Sequence, residues 1–179
     1  PGNVHIFTLL HFPTSFFILY VGIVAQQDNF ARVETDELVL SVPAEAYRFR
    51  LKLFGGAEIT LLAATAVGAS FSYDEKSALR LPAGAFVHGI EPISQMEQNH
   101  PDRRRICSPT SLCMALNALG FKTALKDLLP EVFDQTAGIF GNWVFNVAAA
   151  SARGAEAYVR RVSALGELEN FVADNSLGV

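Results

Sequence analysis

The sequence is poor in the residues that hold small domains together by covalent or metal bonds. It has two cysteines, Cys107 and Cys113, in 179 residues, and their spacing fits neither a disulfide scaffold nor a zinc finger. No metal or other cofactor is predicted. Charged residues make up 18% of the chain and the net charge is −4, with Arg103–Arg105 as a short basic run. This is not the basic surface of a nucleic-acid-binding protein, so no nucleic-acid partner is expected. Half of the residues are hydrophobic, which excludes a disordered chain and supports a buried core.

The apolar start of the chain is too short to cross a membrane as a helix. The chain begins with Pro1 rather than methionine, so its natural N-terminus is expected to lie upstream. Within Val4–Ala25, polar residues and a proline leave Phe16–Ala25 as an uninterrupted run of ten residues, about half of what a spanning helix needs. No stable membrane span is therefore predicted. The Phe, Ile and Val content favours a buried strand, with a trimmed signal peptide or anchor as the alternative.

The first 70 residues have the alternating pattern of β-strands. In Ala46–Phe54, apolar side chains alternate with two arginines and a lysine, which is typical of a strand with one solvated face, with a basic binding surface as the alternative. Further strands are predicted at Glu37–Val42, whose two leucines and last valine share one face, and, after a Gly55-Gly56 turn, at Ala57–Val67. Several strands joined by short turns predict a β-sandwich, for which a structural or spacing role is favoured.

A polar stretch, Gly68–Gly84, marks a boundary beyond which the hydrophobic period becomes helical. We predict a β-rich accessory domain at residues 1–70, a linker at 71–89 and a second domain at 90–179. The elements predicted in the second domain, besides the helix described next, are a helix at Leu125–Phe133 that Pro130 interrupts, a helix at Trp143–Ala152, a strand at Ala157–Val162 and a helix at Leu165–Asp174.

A helix that starts at Cys107 is the centre of this second domain. Ser108-Pro109 predicts its first turn and Gly120 its end. Between them, apolar residues recur every three or four positions and form one stripe: Leu112, Ala115, Leu116 and Leu119. At a helix start, unpaired N–H groups and the positive dipole end favour the thiolate of Cys107, and Arg103–Arg105 add positive charge. A buried, unreactive Cys107 is the alternative, and Cys113 is predicted to serve only in helix packing.

Five short segments of the second domain carry a resemblance to a known family. They are Ile93-Ser94-Gln95, Cys107-Ser108-Pro109-Thr110-Ser111, Leu116-Asn117-Ala118-Leu119-Gly120, Gly141-Asn142-Trp143-Val144-Phe145-Asn146-Val147-Ala148 and Ala157-Tyr158-Val159. Together they resemble the bacteriocin-processing-like cysteine peptidases of the papain-like clan, over about residues 90–179. With the strand pattern, this implies an α+β fold: an N-terminal β-sandwich-like domain followed by the helical half of a papain-like cysteine peptidase domain, truncated at its C-terminus. The β-rich part is similar to the accessory domains that precede such modules in bacterial proteins.

The resemblance implies roles for three residues. Cys107 matches the nucleophile, and Gln95 matches the glutamine whose side-chain amide helps the Cys107 N–H to form the oxyanion hole. Trp143 is assigned to the substrate cleft, with a packing anchor as the alternative. The implied substrate is a peptide or protein, and no cofactor is implied. The family's tendency towards export implies an extracytoplasmic location.

The chain departs from the family pattern in its histidines. Papain-like chemistry needs a histidine to take the thiol proton and an Asp or Asn to orient it, and in this family both follow the cysteine. This sequence has His5, His11, His88 and His100, and none after Cys107. We therefore expect the chain to end before the second half of the family domain and to be a poor peptidase on its own. A histidine from elsewhere, a degenerate domain, acyl transfer to an amine, and a binding or adhesion module with an inert cysteine are the alternatives.

Overall fold

The computed structural model describes residues 3–5, 29–34, 37–46, 62–68, 71–74, 89–164 and 166–168. Strands come first and helices follow, so the architecture is mixed α and β. The strands are β1 (Asn3–His5), β2 (Ala31–Glu34), β3 (Glu37–Leu40) and β4 (Thr65–Ala66). A short 3₁₀ helix at Gln95–Glu97 precedes α1 (Cys107–Ala118), α2 (Leu125–Val132) and α3 (Trp143–Ser151). This order confirms the predicted change from strands to helices along the chain.

The described strands form one antiparallel sheet in the order β2-β3-β1-β4. Val39 of β3 lies opposite Asn3 on one side and Arg32 on the other. The strand predicted at Glu37–Val42 is confirmed, but it ends two residues earlier, at Leu40. Its most buried residue, Val39, lies on the face opposite to the one predicted to be apolar. Val39 is 6% exposed whereas Val42 is 58% exposed, because Val42 lies in a bend beyond the end of β3.

Most of the other strand predictions lie outside the described residues. These are the predictions at Phe16–Ala25 and at nearly all of Ala46–Phe54. Within Ala57–Val67 only residues 62–67 are described, and β4 occupies two of them. The described ranges contain one sheet, whereas a sandwich needs two, so the β-sandwich stays a prediction.

The segment after α3 contacts both β4 and the start of the predicted linker. The Thr65 hydroxyl donates to the Val159 carbonyl oxygen at 2.6 Å, and the Arg161 guanidinium lies 4.8 Å from the centre of the Phe71 ring. The strand predicted at Ala157–Val162 is wrong, since residues 155–162 have no strand pairing. The Val159 carbonyl accepts from a side chain of the very short β4 and not from a strand backbone. The domain boundaries themselves stay a prediction.

The three helices pack against one another around an apolar core. Both predicted ends of α1 are confirmed: it begins at Cys107, and Gly120 has a φ of +88°, which glycine adopts far more easily than other residues. Leu119, placed on the apolar stripe, is 48% exposed because the helix ends at Ala118 and the stripe ends with it. The largest fully buried apolar side chains of this core are Ile106, Leu116, Leu128 and Val132.

The later helices lie close to their predicted ranges. α2 continues through Pro130 and is not interrupted there, because this proline lies in the last turn, where its missing N–H removes one hydrogen bond just before the helix ends. α3 begins at Trp143 as predicted and ends at Ser151. Of the helix predicted at Leu165–Asp174, residues 166–168 are helical, and the others lie outside the described residues. No helix in the described part of the chain has the length and apolar character needed to cross a bilayer.

Candidate active site

Cys107 is the first residue of α1, and it is exposed. The first hydrogen bond of the helix runs from the Thr110 N–H to the Ile106 carbonyl oxygen at 3.1 Å. Pro109 has no N–H, so the N–H groups of Cys107 and Ser108 are the donors that have no partner inside the helix. Cys107 therefore lies at the positive end of the α1 dipole.

Cys113, six residues further along α1, has the opposite environment. It is 1% exposed and belongs to the core. Its thiol donates to the Thr123 carbonyl oxygen at 3.4 Å, and the Asn117 side-chain amide donates to its sulfur at 3.5 Å. Burial raises the pKa of the Cys113 thiol, although the Asn117 hydrogen bond and the positive charge of Arg153 partly oppose this effect. The predicted packing role of Cys113 is confirmed, and Cys107 is the accessible thiol of the two.

The Gln95 side chain is hydrogen-bonded to the loop that leads into α1. Its Nε2 donates to the Arg103 carbonyl oxygen at 3.0 Å, and the Ile93 N–H donates to the Met114 Sδ at 3.2 Å. The first bond holds the Gln95 amide against the turn before Cys107, and the second holds the preceding segment on α1 itself. A carboxamide nitrogen carries two N–H groups, so one of them remains for a substrate. The role of Gln95 in an oxyanion hole stays a prediction.

Trp143 begins α3, whose first turn contacts the first turn of α1. The contact is a hydrogen bond from the Asn146 side-chain amide to the Ser108 hydroxyl. Residues three apart lie on the same side of a helix, so Trp143 is on the side of α3 that faces the start of α1. It is 45% exposed, which is compatible with a residue that lines a substrate cleft. That role stays a prediction.

The sequence did not predict the network that fixes the loop between α2 and α3. Asp134 is fully buried and accepts the Thr136 and Ala137 N–H groups at 2.9 and 3.0 Å. It also accepts from the Asn142 side-chain amide at 2.8 Å, and Asn142 Oδ1 caps α3 by accepting the Val144 N–H at 3.1 Å. These bonds hold the loop in one conformation beside the start of α3.

Arg105 joins this loop to the segment before Cys107, since its guanidinium donates to the Gly138 carbonyl oxygen. One part of the network has a local signal, because Asn142 directly before an apolar helix is a recognisable N-terminal cap. The two longer contacts have no local signal. Asn142 lies 8 residues from Asp134 and Ser108 lies 38 residues from Asn146 in the sequence, and only folding brings each pair together.

His100, the histidine nearest to Cys107 in the sequence, is engaged elsewhere. Its Nδ1 accepts the Asp102 N–H at 3.1 Å, and its ring stands edge-on to Phe140 with the centroids 5.9 Å apart. It lines a groove of about 380 Å³ between residues 98–102 and α2, and Cys107 does not line this groove. The Asp102 N–H occupies the lone pair of Nδ1.

The described residues contain no cluster of His, Cys, Asp and Glu that could hold a metal ion. The exposed nucleophilic group of this arrangement is the Cys107 thiol, and the Gln95 amide is hydrogen-bonded to the loop before it. Trp143 and the 134–142 loop lie at the start of α3, which contacts the start of α1.

Comparison with family models matches the part of the chain that holds these residues. Residues 87–173 match the model of the Peptidase C39 like family, and this range contains Gln95, Cys107, Trp143 and all three helices. Comparison with curated proteins and with solved structures found no match for the chain. At the level of the family, the match supports a cysteine peptidase-like function with a peptide or protein as substrate. Residues 87–173, just under half of the chain, are therefore similar to the Peptidase C39 like family.

Proposed function

We propose that this chain cleaves peptide bonds by nucleophilic attack of the Cys107 sulfur on the scissile carbonyl carbon. The observation that carries this proposal is the contrast between an exposed Cys107 at the start of α1 and a buried Cys113 in its interior. Only the first can reach a substrate, and it lies at the N-terminal end of α1, where backbone N–H groups have no partner inside the helix.

The carbonyl oxygen becomes an oxyanion when the sulfur attacks, and two donors are available for it. One is the Cys107 N–H, which has no partner inside α1. The other is the second N–H of the Gln95 amide, whose first N–H is held by the Arg103 carbonyl. Donors that are fixed before the reaction stabilise the developing charge without reorganising. We assign Trp143 to the cleft wall on the α3 side.

The reaction also needs a proton acceptor and a proton donor. The attacking thiol loses a proton, and the departing amine takes one up as the acyl-enzyme thioester forms; water then releases the acid and regenerates the thiol. No histidine follows Cys107, and His100 is held by the Asp102 N–H. We therefore expect this chain alone to hydrolyse peptides poorly.

The first test is the reactivity of the two thiols. Iodoacetamide at neutral pH, followed by intact-mass and peptide mass spectrometry, is expected to label Cys107 faster than glutathione and to leave Cys113 unlabelled in the folded protein. Cys107→Ser removes the fast labelling, and Cys113→Ser is the matched control that keeps it. A Cys107 that reacts no faster than glutathione would contradict the proposal and favour a binding or adhesion module.

The second test separates hydrolysis from acyl transfer. A peptide mixture is incubated with the chain, with and without an added amine, and the products are identified by mass spectrometry. Hydrolysis gives free carboxyl ends, whereas acyl transfer gives amides of the added amine. Strong hydrolysis that Cys107→Ala abolishes would confirm the nucleophile but contradict the expectation that this chain is a poor peptidase alone. The extracytoplasmic location is a separate proposal, which fractionation of the source cells would test.

A further inference from the structure

The exposed charged residues nearest to Cys107 in the sequence are three consecutive arginines, Arg103–Arg105. Arg103 and Arg104 are both exposed, and within the described part of the chain neither guanidinium has an ion-pair partner. Arg105 differs, because it donates to the Gly138 carbonyl oxygen and lies 3.5 Å from an oxygen of Asp102. Two of the three consecutive positive charges are therefore available to a ligand.

The neighbouring elements do little to neutralise these two charges. α1 and α3 carry no charged residue, and the sequence has no acidic residue between Asp102 and Asp127. Asp102 is paired with Arg105, and the carboxylate of Asp134 is buried and hydrogen-bonded. Glu91 and Glu97 are exposed acids of the segment before the arginines, but within the described residues neither forms an ion pair with Arg103 or Arg104.

The hydrogen bond of Gln95 places Arg103 close to the expected reaction centre. Nε2 is 3.0 Å from the Arg103 carbonyl oxygen, and an oxyanion on its second N–H would lie about 3 Å from the same nitrogen. The two oxygens are then at most about 6 Å apart. Successive residues of an extended peptide are about 3.5 Å apart, so substrate side chains one or two residues from the scissile bond fall within reach of a long arginine side chain.

We propose that Arg103 and Arg104 select peptides that carry an acidic side chain within one or two residues of the scissile bond. This inference rests on the proposed roles of Cys107 and Gln95, and it names the substrate class of that site. A guanidinium binds a carboxylate through two parallel hydrogen bonds, which a lysine cannot reproduce. Because both arginines are exposed, each is expected to change the rate by up to about fivefold.

The test uses the full chain and two peptidyl chloromethyl ketones that differ only in Glu or Gln at the residue before the one that carries the electrophile. The rate constant for alkylation of Cys107 is measured for each reagent by intact mass. The Glu reagent is expected to react faster by up to about fivefold per arginine. Salt at about 0.5 M is expected to bring the ratio of the two rates close to one, since it screens exposed charges.

Matched variants separate the effect of Arg103 and Arg104 on the Glu preference from the effect of the overall net charge. Arg103→Gln with Arg104→Gln is expected to remove most of the Glu preference. Lys122→Gln with Lys126→Gln makes the same change in net charge at exposed positions beyond the end of α1 and is expected to keep the preference. Equal rates for the two reagents in the wild type, or an equal loss of preference in both double variants, would overturn the inference.

Failure of this inference is distinguishable from failure of the proposed function. Labelling by uncharged iodoacetamide reports only on Cys107, and a slow rate there would refute the proposed nucleophile. The ratio of iodoacetate to iodoacetamide labelling, divided by the same ratio for glutathione, reports on the positive charge around Cys107. A value that does not fall when both arginines are replaced would refute the charge selection even if Cys107 is reactive.

Discussion

The first and second turns of α1 carry one cysteine each, and their surroundings give the two thiols different chemistry. Cys107 is exposed at a helix end with unpaired N–H groups, whereas Cys113 is buried against α2 and the chain after α1, where burial raises the pKa of its thiol. The residue type and the helix are the same. The difference therefore comes from position along the helix axis and from which side the other helices cover.

The largest effect expected from this contrast is on stability. Leu116→Ala removes a side chain that is 1% exposed in the buried part of α1, and it is expected to lower the free energy of unfolding by about 2–5 kcal/mol through lost burial and a cavity. Leu119→Ala is the control, since the same change just beyond the helix removes a side chain that is 48% exposed. Urea unfolding measures both. Similar losses would show that the helix end is as tightly packed as its middle.

A comparison of the acylation and alkylation rates of Cys107 tests the role of Gln95 beside the first turn of α1. Gln95→Ala is expected to lower acylation of Cys107 by an activated ester about 10²–10³-fold, the usual loss for one oxyanion donor. Alkylation by iodoacetamide forms no oxyanion, so the ratio of acylation to alkylation rates should fall with it. Gln98→Ala serves as the control, because that amide donates to the Ser94 carbonyl oxygen at 2.9 Å in the same loop. A ratio unaffected by Gln95→Ala would remove this residue from the site.

The hydrogen bonds of the 134–142 loop, which lies before α3, are expected to contribute to stability. Asn142→Ala removes the cap of α3 and one hydrogen bond to the buried Asp134, and it is expected to cost about 1–3 kcal/mol of unfolding free energy. Asn99→Ala, at an exposed position, is the control with little expected change. Thermal or urea unfolding measures both, and equal values would mean that the network contributes nothing to stability.

The smallest expected effect is the pH dependence that Cys113 adds to stability. Its folded pKa is raised by burial, so the neutral thiol is the form that the native state favours. This contribution is complete below the ordinary thiol pKa of about 8.5 and is lost as the pH rises towards the folded pKa, with a slope of at most about 1.4 kcal/mol per pH unit. Unfolding of the wild type and of Cys113→Ala is compared between neutral and alkaline pH. Parallel curves would contradict a buried, protonated thiol.

The helical region shows how far local patterns reach. Start and stop signals placed α1 correctly at both ends, and the apolar period predicted three of its four stripe residues as buried. The strand predicted at Ala157–Val162 failed, because apolar alternation cannot say whether a partner strand lies alongside. The predicted position of Val42 on the apolar face was wrong for a related reason. The burial of a strand residue depends on where the strand ends and on what covers each face.

The sequence alone determined the candidate nucleophile, since both ends of α1 are coded within a few residues: Pro109, two residues after Cys107, suits the first turn, and Gly120 follows the end of the helix. Local hydrogen bonding and backbone sterics are short-range, so they can be read from neighbouring residues. The attachment of Gln95 to Arg103, the contact between Asn146 and Ser108, and the burial of Asp134 arose only when the chain folded. These contacts depend on which surfaces meet across many residues of sequence, and no local pattern carries that information.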